Sequence, residues 1–140
     1  MSGLEVLGAL ASAIGIIDGV LSLSEHLINY IDALKDAPAD RKLLSAQLKT
    51  MKALLPIARD QLKKMQDDHP QLFKDTKDAF EKILGEYERL LKSIDEELNR
   101  AEQRLRKPIW PFKKNGLQAT LSSLSQINSY IKEAVDYGAV

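Results

Sequence analysis

The sequence contains no cysteine, and this absence removes disulfide frameworks, thiol nucleophiles and cysteine-ligated metal sites. Histidine is almost as scarce, because His26 and His69 are the only two and stand far apart in the chain. The sequence also lacks a glycine-rich phosphate loop and a Glu-x-x-His pair of the kind that binds metals in bundles. We therefore predict a protein that is not an enzyme and has no cofactor and no metal.

The chain also lacks an excess of charge of either sign, since 20 Lys and Arg residues balance 20 Asp and Glu residues. Without a net basic field, a protein does not gather nucleic acid or other polyanions over its whole surface. We therefore expect no nucleic acid among its partners. Any electrostatic role must come from a local cluster of charges.

Positive charge is missing from the start of the chain, where the first Lys or Arg is Lys35. A secretory signal begins with positive charge and a mitochondrial presequence is rich in Arg, so we predict that this segment belongs to the mature fold. Its uncharged stretch, residues 6–17, has about twelve residues, against roughly 20 for a helix that spans a bilayer. We expect a protein that is cytoplasmic at rest.

What the chain does have is apolar residues spaced in steps of three and four, the pattern of helices buried along one face. This spacing predicts helices over about 4–35, 39–66, 70–106 and 115–137. The stripe of the second helix is Leu44, Leu48, Met51, Leu55, Ala58, Leu62 and Met65. The stripe of the third is Phe80, Leu84, Tyr87, Leu91, Ile94, Leu98, Ala101 and Leu105. The stripe of the fourth is Leu117, Leu121, Leu124, Ile127, Ile131 and Ala134 or Val135.

Proline and asparagine mark the ends of these helices. Pro38 and Pro70 suit the first positions of the second and third helices, and Asn115 suits the cap of the fourth. Pro56 falls inside the second helix, where we expect a kink rather than two separate helices. Two prolines around Trp110 force an extra turn or short helix before the last helix. We predict an all-α fold with one domain over residues 1–140, an antiparallel four-helix bundle.

The first helix has two contrasting faces. On a helical wheel, Gly8, Ser12, Gly15, Gly19 and Ser22 share one side, and Val6, Leu10, Ala13, Ile14, Ile17 and Leu21 share the other. One interpretation is that the small residues let this helix lie close to the centre of the bundle. The other is that the helix is released on activation and inserts its apolar side into a membrane or an oligomer. A Gly15→Leu substitution separates the two, because it overpacks a buried helix and leaves a free one undisturbed.

The residues that we assign to this membrane or oligomerisation segment are Leu4, Val6, Leu7, Gly8, Leu10, Ile14, Gly15, Ile17, Gly19 and Leu21. Its acidic residues are Glu5 and Asp18. A second candidate region, which we call the basic aromatic loop, consists of Arg104, Arg106, Lys107, Trp110, Phe112, Lys113 and Lys114. Basic residues beside a tryptophan suit the headgroups of an anionic leaflet. The alternative is that Trp110 and Phe112 cap the bundle core while the charges are merely solvated.

Three stretches resemble the fungal HeLo-like domains that stand at the N-terminus of NLR-type (STAND) receptors. They are residues 1–8 with the Ala, Ser and Ile run that follows, residues 36–41 together with Tyr30 and Ile31, and Trp110-Pro111-Phe112-Lys113-Lys114. The resemblance implies a helical bundle related to HeLo and other four-helix cell-death execution domains. It also implies that residues 4–23 are the segment that enters the membrane.

The function that this resemblance implies is programmed cell death in fungal innate immunity or heterokaryon incompatibility, through membrane permeabilisation at the plasma membrane after oligomerisation. The implied partners are further copies of the chain, anionic membrane lipids and an attached or separate NLR-type receptor. The alternative function is a protein–protein interaction module that relays receptor signalling by oligomerisation without a membrane. No NACHT module or amyloid-type motif lies in the 140 residues, so these residues do not encode how the domain is activated.

Overall fold

The computed structural model describes residues 3–34, 38–113 and 116–136, and for residues 3–11 it describes the backbone course alone. Four helices follow one another: α1 (Gly3–Asp32), α2 (Ala39–Asp68), α3 (Pro70–Leu105) and α4 (Gln118–Asp136). Among the described residues there is no strand. The prediction of an all-α four-helix bundle is therefore confirmed.

The helix ends differ from the predicted ones by a few residues. α1 ends at Asp32 rather than at 35, and α4 begins at Gln118 rather than at 115. The predicted cap residue Asn115 lies outside the described residues. α2 runs through Pro56 as one helix, as predicted, and continues to Asp68. A proline removes one backbone hydrogen bond, which the packing of the whole stripe outweighs.

α3 stops because its last residue is followed by a change of backbone conformation. Arg106 has φ 55° and ψ 30°, which is the left-handed conformation that commonly closes a helix. Leu105, predicted as the last member of the buried stripe, is instead exposed at this end. A residue in the final turn has no further turn of helix to cover it, so the periodic pattern overextends the buried face by one residue.

The helices are arranged so that α1 and α4 flank α2 and α3. α1 packs on α2 and α3, α4 packs on the same two helices, and α1 does not meet α4 in the described ranges. Asp18 faces Arg59 and Asp32 faces Lys49, so α1 and α2 run antiparallel. α1 and α3 run parallel, as the pair between His26 and Asp95 and the approach of Glu88 to Gly19 require.

The predicted stripes form the core. Every predicted stripe residue of α2 is buried, and so is every one of α3 up to Ala101. Leu117, Leu121, Leu124 and Ile131 are buried from the last helix and the turn before it, whereas Ile127 is half-buried. Phe73, one heptad before Phe80, is a fully buried residue that the stripe assignment missed. The core thus extends along α3 from Phe73 to Ala101.

One polar contact crosses the core between α2 and α4. Asn128 is buried, and its Nδ2 donates to the backbone oxygen of Gln47 at 3.1 Å and to the Oε1 of the same residue. Tyr87 of α3 is buried as well, and this burial raises the pKa of its phenol. A buried polar group needs a partner, so the Asn128 amide fixes which residues of α2 and α4 face each other.

Candidate functional site

The apolar face of α1 is turned inward from the point where its side chains are described. Ala13, Ile17 and Val20 are almost completely buried, and Ile14 and Leu21 are half-buried. This arrangement places the apolar side of the helix against α2 and α3, as expected for an amphipathic helix in a bundle. The other apolar residues assigned to the segment, Leu4, Val6, Leu7 and Leu10, lie outside the residues with described side chains, as do Glu5 and Gly8.

The small-residue face of α1 is turned toward solvent. Ser12, Gly15 and Ser22 are exposed, and a Cβ placed on Gly15 would meet no heavy atom within 4 Å. The interpretation that these small residues bring the helix close to the bundle centre is therefore wrong for Gly15. Gly19 is the exception, because the Oε2 of Glu88 lies 2.8 Å from the position that a Cβ would take. Most of the small face is thus an open surface.

A ladder of charged pairs fastens α1 to α2. Three acids of α1, each one heptad after the last, contact α2 residues that are each one heptad earlier, as expected for antiparallel helices. The contacts are Asp18 with Arg59 at 3.2 Å, Glu25 with Lys52 at 3.9 Å, and Asp32 with Ser45 at 3.0 Å and Lys49 at 3.1 Å. Each such surface pair is worth about 0–1 kcal/mol. The hydrogen bond from Lys49 is the main cause that holds the pKa of Asp32 below its ordinary value.

The same helix contacts acids of α3 on its other side. His26 Nε2 lies 3.2 Å from Asp95 Oδ1, one heptad beyond the approach of Glu88 to Gly19. By the same spacing, the positions one heptad earlier in this register are Ser12 of α1, which is exposed, and Glu81 of α3, which is half-buried. Oε1 of Glu81 is buried without a hydrogen-bond partner among the described residues. Half-buried carboxylates of α3 therefore line the edge of α1.

The end of α1 is capped by a buried arginine of α2. Arg41 donates through Nη1 to the backbone oxygens of Ile31 and Leu34, the second at 2.7 Å. Carbonyl groups in the last turn of a helix have no partner within the helix, and a guanidinium is the strongest donor available to them. No periodic signal reveals this role, because the apolar stripe predicted for α2 begins at Leu44, after Arg41.

The basic aromatic loop is joined to α1 by Tyr30. The Tyr30 hydroxyl donates to the backbone oxygen of Ile109 at 3.0 Å and accepts from the backbone nitrogen of Ile109 at 3.1 Å. Burial is the main cause that raises the pKa of this phenol. A single side chain thus satisfies both backbone groups of a loop residue, and it ties the loop to the last turns of α1.

The aromatic residues of the loop are turned toward the protein. Trp110 and Phe112 are half-buried against the core, with ring centroids 5.0 Å apart and an angle of 64° between the rings. The indole Nε1 of Trp110 is buried and has no hydrogen-bond partner among the described residues. Of the two interpretations of this loop, the geometry corresponds to the one in which the aromatic pair caps the core.

The basic residues of the loop surround this aromatic cap and face solvent. Arg104, Arg106, Lys107 and Lys113 are exposed, and Lys114 lies outside the described residues. None of the four forms an ion pair within the part of the chain that the structure describes. One end of the bundle therefore presents a local positive surface, although the chain as a whole has no net charge.

The two parts of α1 are held in different ways. We call residues 3–17 its N-terminal half and residues 18–32 its C-terminal half. Where side chains of α1 are described, its contacts with Arg59, Lys52, Lys49 and Asp95, the Tyr30 contact and the Arg41 cap all involve the C-terminal half. In the N-terminal half, residues 6–17 contain no charged side chain at all, so that stretch forms no ion pairs.

The fold and the site together define an all-α four-helix bundle with an open small-residue face on α1 and a basic loop at one end. No protein-family model, curated protein or solved structure matches this chain. Within the described ranges, no helix combines the length and the apolar character needed to cross a membrane. No cluster of three or more His, Cys, Asp or Glu residues suited to a metal ion occurs in those ranges either.

Proposed function

We propose that this bundle is a membrane-targeting cell-death execution domain of a fungal NLR-type immune or incompatibility protein, which permeabilises membranes once it oligomerises. The observation that supports the proposal is that the two halves of α1 are held to the bundle by different kinds of contact. Its C-terminal half is held by ion pairs and hydrogen bonds. Residues 12–17, the part of its N-terminal half with described side chains, carry no charge and are held by the burial of Ala13 and Ile17.

Apolar burial is non-directional, so it is satisfied equally by a protein core and by the acyl region of a lipid leaflet. Ile14 and Ile17 can therefore exchange one apolar environment for the other without the separation of any charged pair. The exposed Gly15 adds to this tendency, because a glycine within a helix costs roughly 1 kcal/mol relative to alanine. In the proposed mechanism, the N-terminal half leaves the bundle and the C-terminal half remains as its anchor.

The basic aromatic loop supplies the attraction to anionic lipid in this proposal. Its exposed Arg and Lys side chains are each worth about 1 kcal/mol near a negatively charged surface. The buried Trp110 Nε1 gains a hydrogen-bond partner if the indole moves to the headgroup region, where tryptophan is favoured. The loop lies beside the last turns of α1, at the opposite end of that helix from its N-terminal half. In the proposed mechanism, the N-terminal half therefore has to leave the bundle before it reaches the membrane that the loop binds.

The test uses engineered disulfide bonds that lock α1 to α3. The chain has no cysteine of its own, so only the intended pair of cysteines can form a bond within one molecule. Ser12→Cys with Glu81→Cys is designed to tie the N-terminal half of α1 to α3, at the positions one heptad before the approach of Glu88 to Gly19. Gly19→Cys with Glu88→Cys ties only the C-terminal half and is the matched control. Each protein is fused to an inducible oligomeriser and added to dye-loaded liposomes with and without anionic lipid.

We expect anionic liposomes to leak with the wild type, with the control lock and with the reduced form of the first lock. The oxidised Ser12–Glu81 lock should not leak, and addition of a reductant should restore its activity. Titration of free thiols establishes that each bond has formed. Leakage by the oxidised Ser12–Glu81 lock at the rate of its reduced form would refute release of the N-terminal half.

The inward packing of Trp110 and Phe112 favours a second candidate function, an interaction module that relays oligomerisation to or from a receptor. In that case oligomers would form without leakage from any liposome. Charge reversal at Glu5 and Asp18 would then alter the binding of a protein partner while leaving liposomes unaffected. The same leakage assay therefore separates the two candidates.

A further inference from the structure

The outer face of α2 carries an uncharged stripe that no other helix covers. Leu43, Ala46, Thr50, Ala53 and Ile57 are all exposed and recur in steps of three and four along the helix. Leu43 is 54% exposed and Ile57 is 47% exposed, which places them among the most exposed large apolar residues described in the chain. An apolar stripe of this kind on a helix surface is typical of a contact with another helix.

The stripe is symmetric about its centre. Leu43 and Ile57 lie at equal distances on either side of Thr50, and Ala46 and Ala53 lie between them and the centre. A second α2 that runs antiparallel across the stripe therefore sets Leu43 of each copy against Ile57 of the other. The alanines and Thr50 are small enough for the two helices to approach closely.

We propose that this face is the contact through which two copies of the chain pair, with a two-fold axis beside Thr50. A two-fold contact uses the same patch on both copies, so its pattern must be self-complementary, as this one is. The pairing needs neither release of α1 nor a membrane, so the inference goes beyond the proposed function and stands independently of it.

The charges beside the stripe complement each other under the same two-fold. Lys42 and Asp60 are exposed on one flank, near opposite ends of the stripe, and neither forms an ion pair within the described part of the chain. In the antiparallel pair, Lys42 of each copy lies near Asp60 of the other. The pairing thus brings together two sets of opposite charges that have no partner within the described single chain.

Lys63 and Lys64 are exposed on α2 beyond Ile57, past the end of the stripe. Between Lys42 and Asp60, the basic residues of α2 are Lys49, Lys52 and Arg59, and each lies within 4 Å of an acid of α1. Their charges are therefore offset within each copy. The stripe itself is about 21 Å long at 1.5 Å per residue. A contact confined to one such stripe buries less area than the ~800 Å² per partner of an ordinary stable interface. We expect a weak dimer whose population rises with concentration.

The first test measures association by sedimentation velocity over a range of protein concentrations, without lipid. Lys42→Glu or Asp60→Lys alone places like charges together and should weaken the dimer by about tenfold or more. The double variant Lys42→Glu/Asp60→Lys restores opposite charges and should return close to the wild type. Lys82→Glu, at an exposed position of α3, is the control for net charge and should have no effect.

A second test uses the absence of cysteine. Thr50→Cys should form a disulfide-linked dimer under mild oxidation, because a two-fold axis beside residue 50 brings the two copies within the ~7 Å Cα separation that a disulfide tolerates. Ser93→Cys, on the exposed surface of α3, is the matched control and should remain monomeric at the same concentration. Circular dichroism verifies that each variant keeps its helical content.

A wild type that stays monomeric at every concentration overturns the proposal. A dimer that is indifferent to the single charge reversals, or that the double variant does not restore, overturns it as well. If Lys42→Glu instead abolishes binding to anionic lipid vesicles while the protein is monomeric, the face is a lipid-binding surface and the proposal of a second copy fails.

Discussion

The two halves of α1 share a helical backbone and, from Ala13 onward, an inward apolar face, yet they are held to the bundle by different interactions. In the N-terminal half, Ala13 and Ile17 are buried and no charged side chain lies between residues 6 and 17. In the C-terminal half, Leu27 and Ile31 are equally buried, and acids, a tyrosine and the Arg41 cap add directional contacts.

This difference shows how one helix can be both part of the core and a releasable segment. Hydrophobic burial supplies most of the stability of either half, but it does not depend on which apolar surface is nearby. Hydrogen bonds and ion pairs depend on particular partners, so they specify where the C-terminal half must stay. The comparison therefore predicts a hinge near Asp18.

The largest expected effect comes from the buried apolar side chains, which should contribute equally to stability in the two halves of α1. We expect Ile17→Ala and Leu27→Ala each to lower the free energy of unfolding by about 2–5 kcal/mol, because both side chains are completely buried. Urea denaturation followed by circular dichroism measures this loss. A much smaller cost at Ile17 than at Leu27 would mean that the N-terminal half is not part of the cooperative core.

Removal of the Arg41 cap should weaken the C-terminal half. Arg41→Ala leaves the carbonyls of Ile31 and Leu34 without their donor, and hydrogen bonds to a charged group are worth about 1.5–3 kcal/mol. We expect a loss of that size in urea denaturation. Lys42→Ala, at the exposed neighbouring position, serves as the control and should change the stability by less than about 0.5 kcal/mol.

The link between α1 and the basic aromatic loop can be tested with Tyr30→Phe. This change removes both contacts with Ile109 and should cost about 1 kcal/mol. Trp110 is the only tryptophan, so its fluorescence reports directly on the loop and should shift to longer wavelength as the ring becomes more hydrated. An unchanged emission spectrum would show that the loop does not depend on Tyr30.

Because the small-residue face of α1 is open at Gly15, a larger residue there should raise the stability of the protein modestly. Gly15→Ala should stabilise the protein by about 0.5–1 kcal/mol, because the new methyl group meets no neighbour and alanine favours the helix. Gly19→Ala is the comparison variant and should gain less, since its methyl group meets the carboxylate of Glu88. Thermal unfolding distinguishes them, and a destabilised Gly15→Ala variant would contradict an open face.

The smallest effect concerns pH and Asp32. Its pKa is lower in the folded state than the ordinary value of 3.8, so the contact with Lys49 adds stability above about pH 4. That contribution is lost as the pH falls through the folded-state pKa. We expect Asp32→Asn to be slightly less stable than the wild type at pH 7 and equal to it near pH 2, by urea denaturation. A difference that persists in acid would assign the effect to packing instead of charge.

Much of the fold could be predicted from the sequence, because three- and four-residue spacing reports directly which residues share a buried face. This spacing identified the stripes of α2 and α3 and the single helix through Pro56. It missed Phe73, whose heptad partner Phe80 was taken as the start of the stripe, and it overextended the stripe to Leu105. Helix ends depend on local contacts such as the Arg41 cap, which periodicity does not encode.

The candidate site could be predicted only in part. From residue 12 onward, where side chains are described, the small and apolar residues of α1 lie on opposite faces as the wheel predicted. The wheel does not say which of the two faces meets a neighbour. A Gly15 on a packed face and a Gly15 on an open face give the same pattern. Tyr30 was noted only as part of a resemblance, because a hydrogen bond to Ile109, far away in the sequence, leaves no local signal.

The most direct measurement of the central claim is native-state hydrogen exchange of the backbone amides of α1. The account predicts that the amides of Ala13 and Ile17 open with a free energy at least about 1 kcal/mol below those of Leu27 and Ile31, although all four side chains are buried. Equal protection in the two halves, or stronger protection at Ile17, would contradict a helix whose N-terminal half is poised to leave the bundle.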